Sequence, residues 1–250
     1  MNETIAILGA VSEEIAGIKR EINISDRVRL DKSEAWFGKY QGRNIVLVRT
    51  GVGRKRAQNA TQQVIDKFNP EVIISMGYAG ALTEGLNVGD LFVASTILSP
   101  ESDSTSFEMD DPKNLKWLEL ANKTPPPENV KLKIGRLITV DMVVHTPKAK
   151  KELGSRFRAE AVEMETLEIA LLARVNKIPF LSIRVISDAV NHELIDCSSF
   201  LDSDGELSKL RAGWYVLTHP KSLKNAFSLR SNTQIATQNL TDFISRLIST

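Results

Sequence analysis

Short apolar runs that stop abruptly at a glycine or a carboxylate, separated by helical stretches, constrain this chain more than any other feature. Thr4–Leu8 closes on Gly9, Val72–Met76 on Gly77-Tyr78-Ala79-Gly80, and Phe180–Ile186 on Ser187-Asp188. Continuous apolar runs of this length fit strands buried on both faces. Their alternation with helices predicts an α/β fold, a sheet covered on each side. Ser12 is placed to cap a helix from about Glu13 to Lys19. Ala35–Tyr40 and Asn44–Arg49 read as strands around a turn at Gln41-Gly42. Gly51 and Gly53 lead into a helix whose apolar face includes Ala57, Val64 and Ile65. Leu91–Ile97 and Lys133–Val140 read as strands, Lys113–Asn122 and Met164–Asn176 as helices, and Pro147 opens another helix. From Asp202 onward the pattern is helical with polar connections. Pro125-Pro126-Pro127 is too short to be a linker, so residues 1–250 are expected to form a single domain.

Composition removes several classes. The 32 basic residues nearly cancel the 31 acidic ones, so no strong field directs the protein to nucleic acid or an anionic membrane. No apolar stretch approaches a membrane span, and the N-terminal segment carries acids where a secretory signal needs bases. A lone cysteine, Cys197, permits no intrachain disulfide. A cytoplasmic protein is expected. The histidines His145, His192 and His219 show no ligand spacing, so no metal is expected. The Gly51–Gly53 turn has Arg56 where a dinucleotide fingerprint needs its third glycine, so no nucleotide cofactor is expected either.

Ligands of open α/β sheets gather at the carboxyl ends of strands. Four suggestive segments fall there: Glu13-Glu14, Tyr78-Ala79-Gly80, Glu163-Met164-Glu165 and Ser187-Asp188. Each has a plainer explanation. Acids in a first helical turn complement the helix dipole, and a Ser-Asp pair can simply cap or turn. Their convergence on one predicted cleft is the clue to chemistry.

The run AVEMETLEIALLARVNKIPFLSIRVISDAV resembles the signature of the purine nucleoside phosphorylase / uridine phosphorylase superfamily. ILGAVSEEI, TGVGRKRAQNATQQVI and PEVIISMGYAGALTEGLNVGDLFVAS resemble further parts of it. Within that superfamily the chain looks most like the methylthioadenosine/S-adenosylhomocysteine nucleosidases. Its C-terminal stretch is similar to a hopanoid-associated branch.

The resemblance implies a three-layer α/β/α domain with a central mixed sheet, a homo-oligomer (dimer or larger), and a small purine nucleoside as partner. It implies Asp188 as the general acid that protonates the purine, with Ser187 orienting it. Glu165 would hold the ribose hydroxyls as an ionised carboxylate, and Met164 would pack on the sugar. Glu14 would activate water, with Glu13 as the alternative. Arg184 would lie near the water and ribose, and Val143 and Val144 at the base. Glu163 and Tyr78-Ala79-Gly80 complete the implied substrate-binding set.

These roles suit glycosidic cleavage. The sugar passes through an oxocarbenium-like state, and the purine leaves more easily when protonated. Burial would keep a proton on Asp188. Ser75 stands where the superfamily's phosphorylases place an arginine, which favours hydrolysis. Arg49 and Arg54 keep phosphorolysis as the alternative, and a non-catalytic nucleoside-binding protein is a third reading.

Overall fold

A computed structural model describes residues 4–101, 105–194 and 221–249, with side chains of the last helix described from residue 233 onward. Its strands are β1 (Thr4–Gly9), β2 (Asn23–Leu30), β3 (Ser33–Tyr40), β4 (Arg43–Arg49), β5 (Val72–Ala81), β6 (Leu91–Leu98), β7 (Ser106–Glu108), β8 (Leu132–Thr139), β9 (Ala161–Glu163) and β10 (Phe180–Asp188). The helices are α1 (Ser12–Glu21), α2 (Arg54–Phe68), α3 (Pro112–Lys123), α4 (Pro147–Phe157), α5 (Thr166–Val175) and α6 (Lys221–Ser249).

The strands form one mixed sheet in the order β10-β6-β8-β9-β5-β1-β4-β3-β2, with β7 beside β6. Because β10 also pairs with β5, five strands close into a ring: β5, β10, β6, β8 and β9. Helix α1 packs on α6 and α2 packs on α5, which gives two helical layers around the sheet. The layering explains the sequence pattern. Ile5, Ile7, Ile45, Leu47, Ile73, Ile74, Phe180 and Leu181 are all buried, because their strands meet side chains on both faces.

Local chemistry fixes the ends of these elements. Gln41 and Gly42 both have positive φ, 46° and 84°, as a two-residue hairpin turn requires between β3 and β4. Thr146 caps α4 through its hydroxyl, with Pro147 in the first turn. Helix α1 begins at Ser12 and its N-cap is Val11, so the expected Ser12 cap is corrected. Glu14 does that work instead, by folding back to accept from the backbone N–H groups of Ala10 and Val11.

Three further departures matter for the site. Strand β5 does not close at Gly77 as expected but runs straight through Gly77–Gly80 to Ala81. Glu163 does not open a helix but ends β9, and α5 starts three residues later at Thr166. The strand expected to stop before Ser187-Asp188 includes both, with an irregularity in its pairing to β5 between Ile186 and Asp188. The stretch from Asp202 to residue 220, with Cys197 and His219, lies outside the described residues.

Candidate active site

The four strand-end segments come together. A cleft of about 240 Å³ is lined by Glu14, Tyr78, Ala79, Gly80, Val143, Val144, Glu163, Met164, Glu165, Ser187 and Asp188, together with Val52, Val140, Val162 and neighbouring backbone. Its lining combines apolar side chains with the carboxylates of Glu14, Glu163, Glu165 and Asp188. Glu13 is exposed and does not line this cleft, so of the two adjacent acids it is Glu14 that faces it.

Glu14 sits at the start of α1, under the end of β1. Its Oε2 accepts from Ala10 N (2.6 Å) and Val11 N (3.0 Å), and its Oε1 accepts from Tyr78 N (2.9 Å). Burial pushes its pKa up, while these N–H groups and the Arg184 charge pull it down; burial prevails. Glycine is required opposite it. A Cβ on Gly77 would lie 2.5 Å from Glu14 Oε1. This is why a glycine-rich sequence runs as a strand here: the strand must be bare where the carboxylate presses on it.

Glu165 accepts from Gly53 N (2.7 Å), the positive-φ residue (96°) that precedes α2. Burial first, then the neighbouring Glu163 and Glu14 charges, push its pKa up to about 8. This upward direction runs against the ionised form that the resemblance implied for Glu165.

Glu163 lines the cleft, yet its oxygens serve the scaffold. Oε1 accepts from Thr139 Oγ1 (2.5 Å), and Oε2 accepts from Glu165 N (2.9 Å), Thr166 N (2.8 Å) and Arg184 Nη2 (3.2 Å). It caps α5 and anchors Arg184. That buried guanidinium also donates to Ser75 Oγ (2.6 Å), while its Nε has no protein partner. Sharing Glu14, Tyr78 and Glu165 with the cleft, a cavity of about 10 Å³, room for about one water molecule, is also lined by Arg184, Ser75 and Thr50.

Asp188 occupies the other end. The pairing irregularity around Ser187 brings both Ser187 and Asp188 to the cleft, as bulges beside active sites do. Ser187 Oγ donates to Asp188 Oδ1 (2.7 Å). Lys150 Nζ, from α4, donates to Oδ2 (2.5 Å). Sequence reasoning missed Lys150, which sits in the polar run PKAKKELG. The available signal was helical spacing: Lys150 and Gly154, four residues apart, form the buried face of α4.

Two residues held open as phosphate ligands lie elsewhere. Arg49 pairs with Glu34 (3.3 Å). Arg54 donates to Thr139 O (2.7 Å) and faces Asp141, Glu101 and Glu168. Neither lines the cleft. Tyr78 donates its backbone N–H to Glu14 and joins its hydroxyl to Thr237 Oγ1 (2.6 Å) on α6.

A mixed sheet with a closed ring of strands, and a carboxylate-lined cleft at the strand ends, defines an α/β enzyme class that known proteins share. Residues 4–211 match the model of the phosphorylase superfamily. The 5′-methylthioadenosine/S-adenosylhomocysteine nucleosidase of Staphylococcus epidermidis is 30% identical over 213 residues, 79% of this chain and 92% of the relative. That of Staphylococcus haemolyticus is 31% identical over 202 residues, 75% of this chain and 87% of the relative. Among solved structures, the Neisseria meningitidis nucleosidase in complex with methylthio-immucillin-A superposes with a TM-score of 0.77 at 22% identity, covering 99% of each chain. The futalosine hydrolase of Helicobacter pylori has a TM-score of 0.75 at 22% identity, covering 98% of this chain and 97% of that one. The chain belongs to the phosphorylase superfamily, in the group of its nucleosidases, and is an enzyme. Among the described residues no helix is long and apolar enough to cross a membrane.

Proposed function

We propose that this enzyme hydrolyses the N-glycosidic bond of a 5′-modified adenine nucleoside. The observation that carries the reading is the meeting of Glu14, Glu165 and Asp188 in one cleft, with a water-sized cavity lined in part by Glu14. The curated relatives, named for such nucleosidase activity, support the substrate class.

In this reading the base lies against the apolar side chains of Val143, Val144 and Val162. Asp188, oriented by Ser187, faces the purine and protonates it as the glycosidic bond breaks. Glu165 and Met164 meet the sugar. Glu165 enters as the neutral acid, and the cationic sugar favours its ionisation as charge develops, a stabilisation specific to the transition state. Glu14 takes the proton of the water that attacks the anomeric carbon. Arg184 lines the water-sized cavity and pulls both the Glu14 and Glu165 pKa values down, so that either can ionise there. Homo-oligomerisation, cytoplasmic residence and a single domain belong to the same reading.

Hydrolysis is preferred to phosphorolysis because the cleft offers an incoming anion few cations. Arg184 is engaged by Ser75 and Glu163, and Arg49 and Arg54 lie outside the cleft. The test is to incubate the protein with adenosine, methylthioadenosine, S-adenosylhomocysteine and inosine, with and without phosphate, and to assay free base. Adenine release without phosphate is expected. Release that requires phosphate and yields a ribose 1-phosphate would overturn the hydrolytic reading, and a protein that cleaves nothing would favour nucleoside binding alone.

A further inference from the structure

Lys150 has no exposed surface at all. An ammonium carries three N–H donors, and here each has a partner: Asp188 Oδ2 at 2.5 Å, Ala189 O at 3.2 Å and His192 O at 2.9 Å. Burying a charge is costly unless it is paired and hydrogen-bonded, and this pair meets both conditions. The arrangement bears directly on catalysis. A general acid must hold a proton, yet a salt bridge keeps its protons on the ammonium. Sequence alone offered burial as the source of the Asp188 proton; the structure adds a lysine ammonium against its Oδ2.

We propose that Lys150 supplies the proton that Asp188 delivers, so that the Lys150–Asp188 pair is the general acid as a unit. The proposal rests on the nucleosidase reading above. As the bond from the anomeric carbon to the purine breaks, its electron pair goes to the purine. Asp188 passes a proton to the purine nitrogen and takes one from Lys150, which is left as the neutral amine. Water bonds to the anomeric carbon and gives its proton to Glu14. After the products leave, Glu14 releases its proton to solvent and Lys150 regains one, so only water is consumed. Lys150 does not touch the substrate; it acts through Asp188.

Other ionisable groups surround the pair. Glu14, Glu163 and Glu165 share the cleft with Asp188. His145 is half-buried and His192 exposed on the flanking segments, and Lys148 and Lys151 are exposed on α4 itself. Control variants His145→Gln, His192→Gln and Lys151→Met remove the contributions of those side chains from a pH profile.

The experiment compares pH profiles of kcat and kcat/KM for adenine release in the wild type, Lys150→Arg and Lys150→Met. An arginine keeps the charge but does not release a proton. If the pair is the acid, Lys150→Arg loses about 100-fold in kcat across the profile, within the range of general-acid catalysis. KM and adenine binding stay near wild type. Lys150→Met removes the charge and the proton together and loses at least as much in kcat. If Lys150→Arg matches the wild type in kcat and in the shape of its profile, the lysine is merely structural and the proposal fails. Should both variants fail to fold, the wild-type profile decides. Activity that persists above about pH 9, toward the lysine range, fits a lysine-supplied proton, and activity that fades at any lower pH overturns it. A wild type that releases no base sinks the nucleosidase reading and this proposal together, whereas active, unchanged variants sink this proposal alone.

Discussion

At one end of the cleft, Glu14 and Glu165 are held by backbone N–H groups and crowd one another beside Glu163; at the other, Asp188 is held by a hydroxyl and a buried ammonium. Burial raises the pKa of both glutamates, that of Glu165 to about 8. Asp188 is as buried as Glu14 but has a cation against its oxygen. The same functional group in one site thus receives opposite surroundings. Acid–base enzymes give carboxylates in different surroundings different roles, a proton acceptor and a proton donor. Hydrolysis of a glycosidic bond needs both, one for the water and one for the leaving base.

The comparison can be broken most sharply at its donor end. Asp188→Asn should lower kcat about 1000-fold while adenine still binds, within the range for loss of a general acid. Steady-state kinetics with a binding titration checks this, and a variant that loses binding and rate together would make Asp188 a binding group. At the acceptor end, Glu14→Gln keeps the contacts to two backbone amides at most and should cost about 100-fold in kcat. An effect confined to KM would remove Glu14 from the water step.

Gly77→Ala comes next. It places a methyl 2.5 Å from Glu14 Oε1 and should displace that carboxylate, with a loss of about 10-fold or more, since small misplacements of catalytic groups are costly. Gly80→Ala, 2.9 Å from Asp188 Oδ2, applies the same test to the donor end.

Glu165 gives the most gradual effect, through stability. Its folded pKa, about 8, lies above its ordinary value of 4.5, so the folded protein holds a proton that the unfolded chain has released between those limits. The Glu165 contribution to stability therefore falls as pH rises from 4.5 to 8 and levels off above. Thermal melting of Glu165→Gln should show a shallower loss of Tm across that window than the wild type. Equal slopes would mean that Glu165 ionises normally. Smallest of all, Tyr78→Phe removes the hydroxyl bonded to Thr237 and should cost about 1 kcal/mol of stability, with base release still independent of phosphate.

The buried strands and the cleft carboxylates were legible because each obeys a local rule: apolar runs for strands, acids at strand ends for the site. Strand β2 (NISDRVRL) was not, because it is an edge strand with nearly every side chain in solvent, so no buried face imprints a pattern on it. The glycines of β5 suggested the end of the strand since their cause is remote: the carboxylates of Glu14 and Asp188 arrive from other elements. Lys150 was hidden for the same reason. Its neighbours Lys148 and Lys151 are ordinary solvated lysines, and only the approach of β10 makes the residue between them different.

The packing of α1 on α6 has a consequence for how the enzyme is made. Gly17 lets Thr241 approach so closely that a Cβ there would lie 1.8 Å from the threonine hydroxyl. The helix that carries Glu14 thus rests on α6, and Tyr78 is tied to it as well. A ribosome emits Glu14, Glu165 and Asp188 well before this support exists. During synthesis the chain therefore holds every cleft carboxylate before α6 is present, and contacts spanning so much sequence form late. The Glu14 end of the cleft should therefore come into register only once α6 has packed against α1.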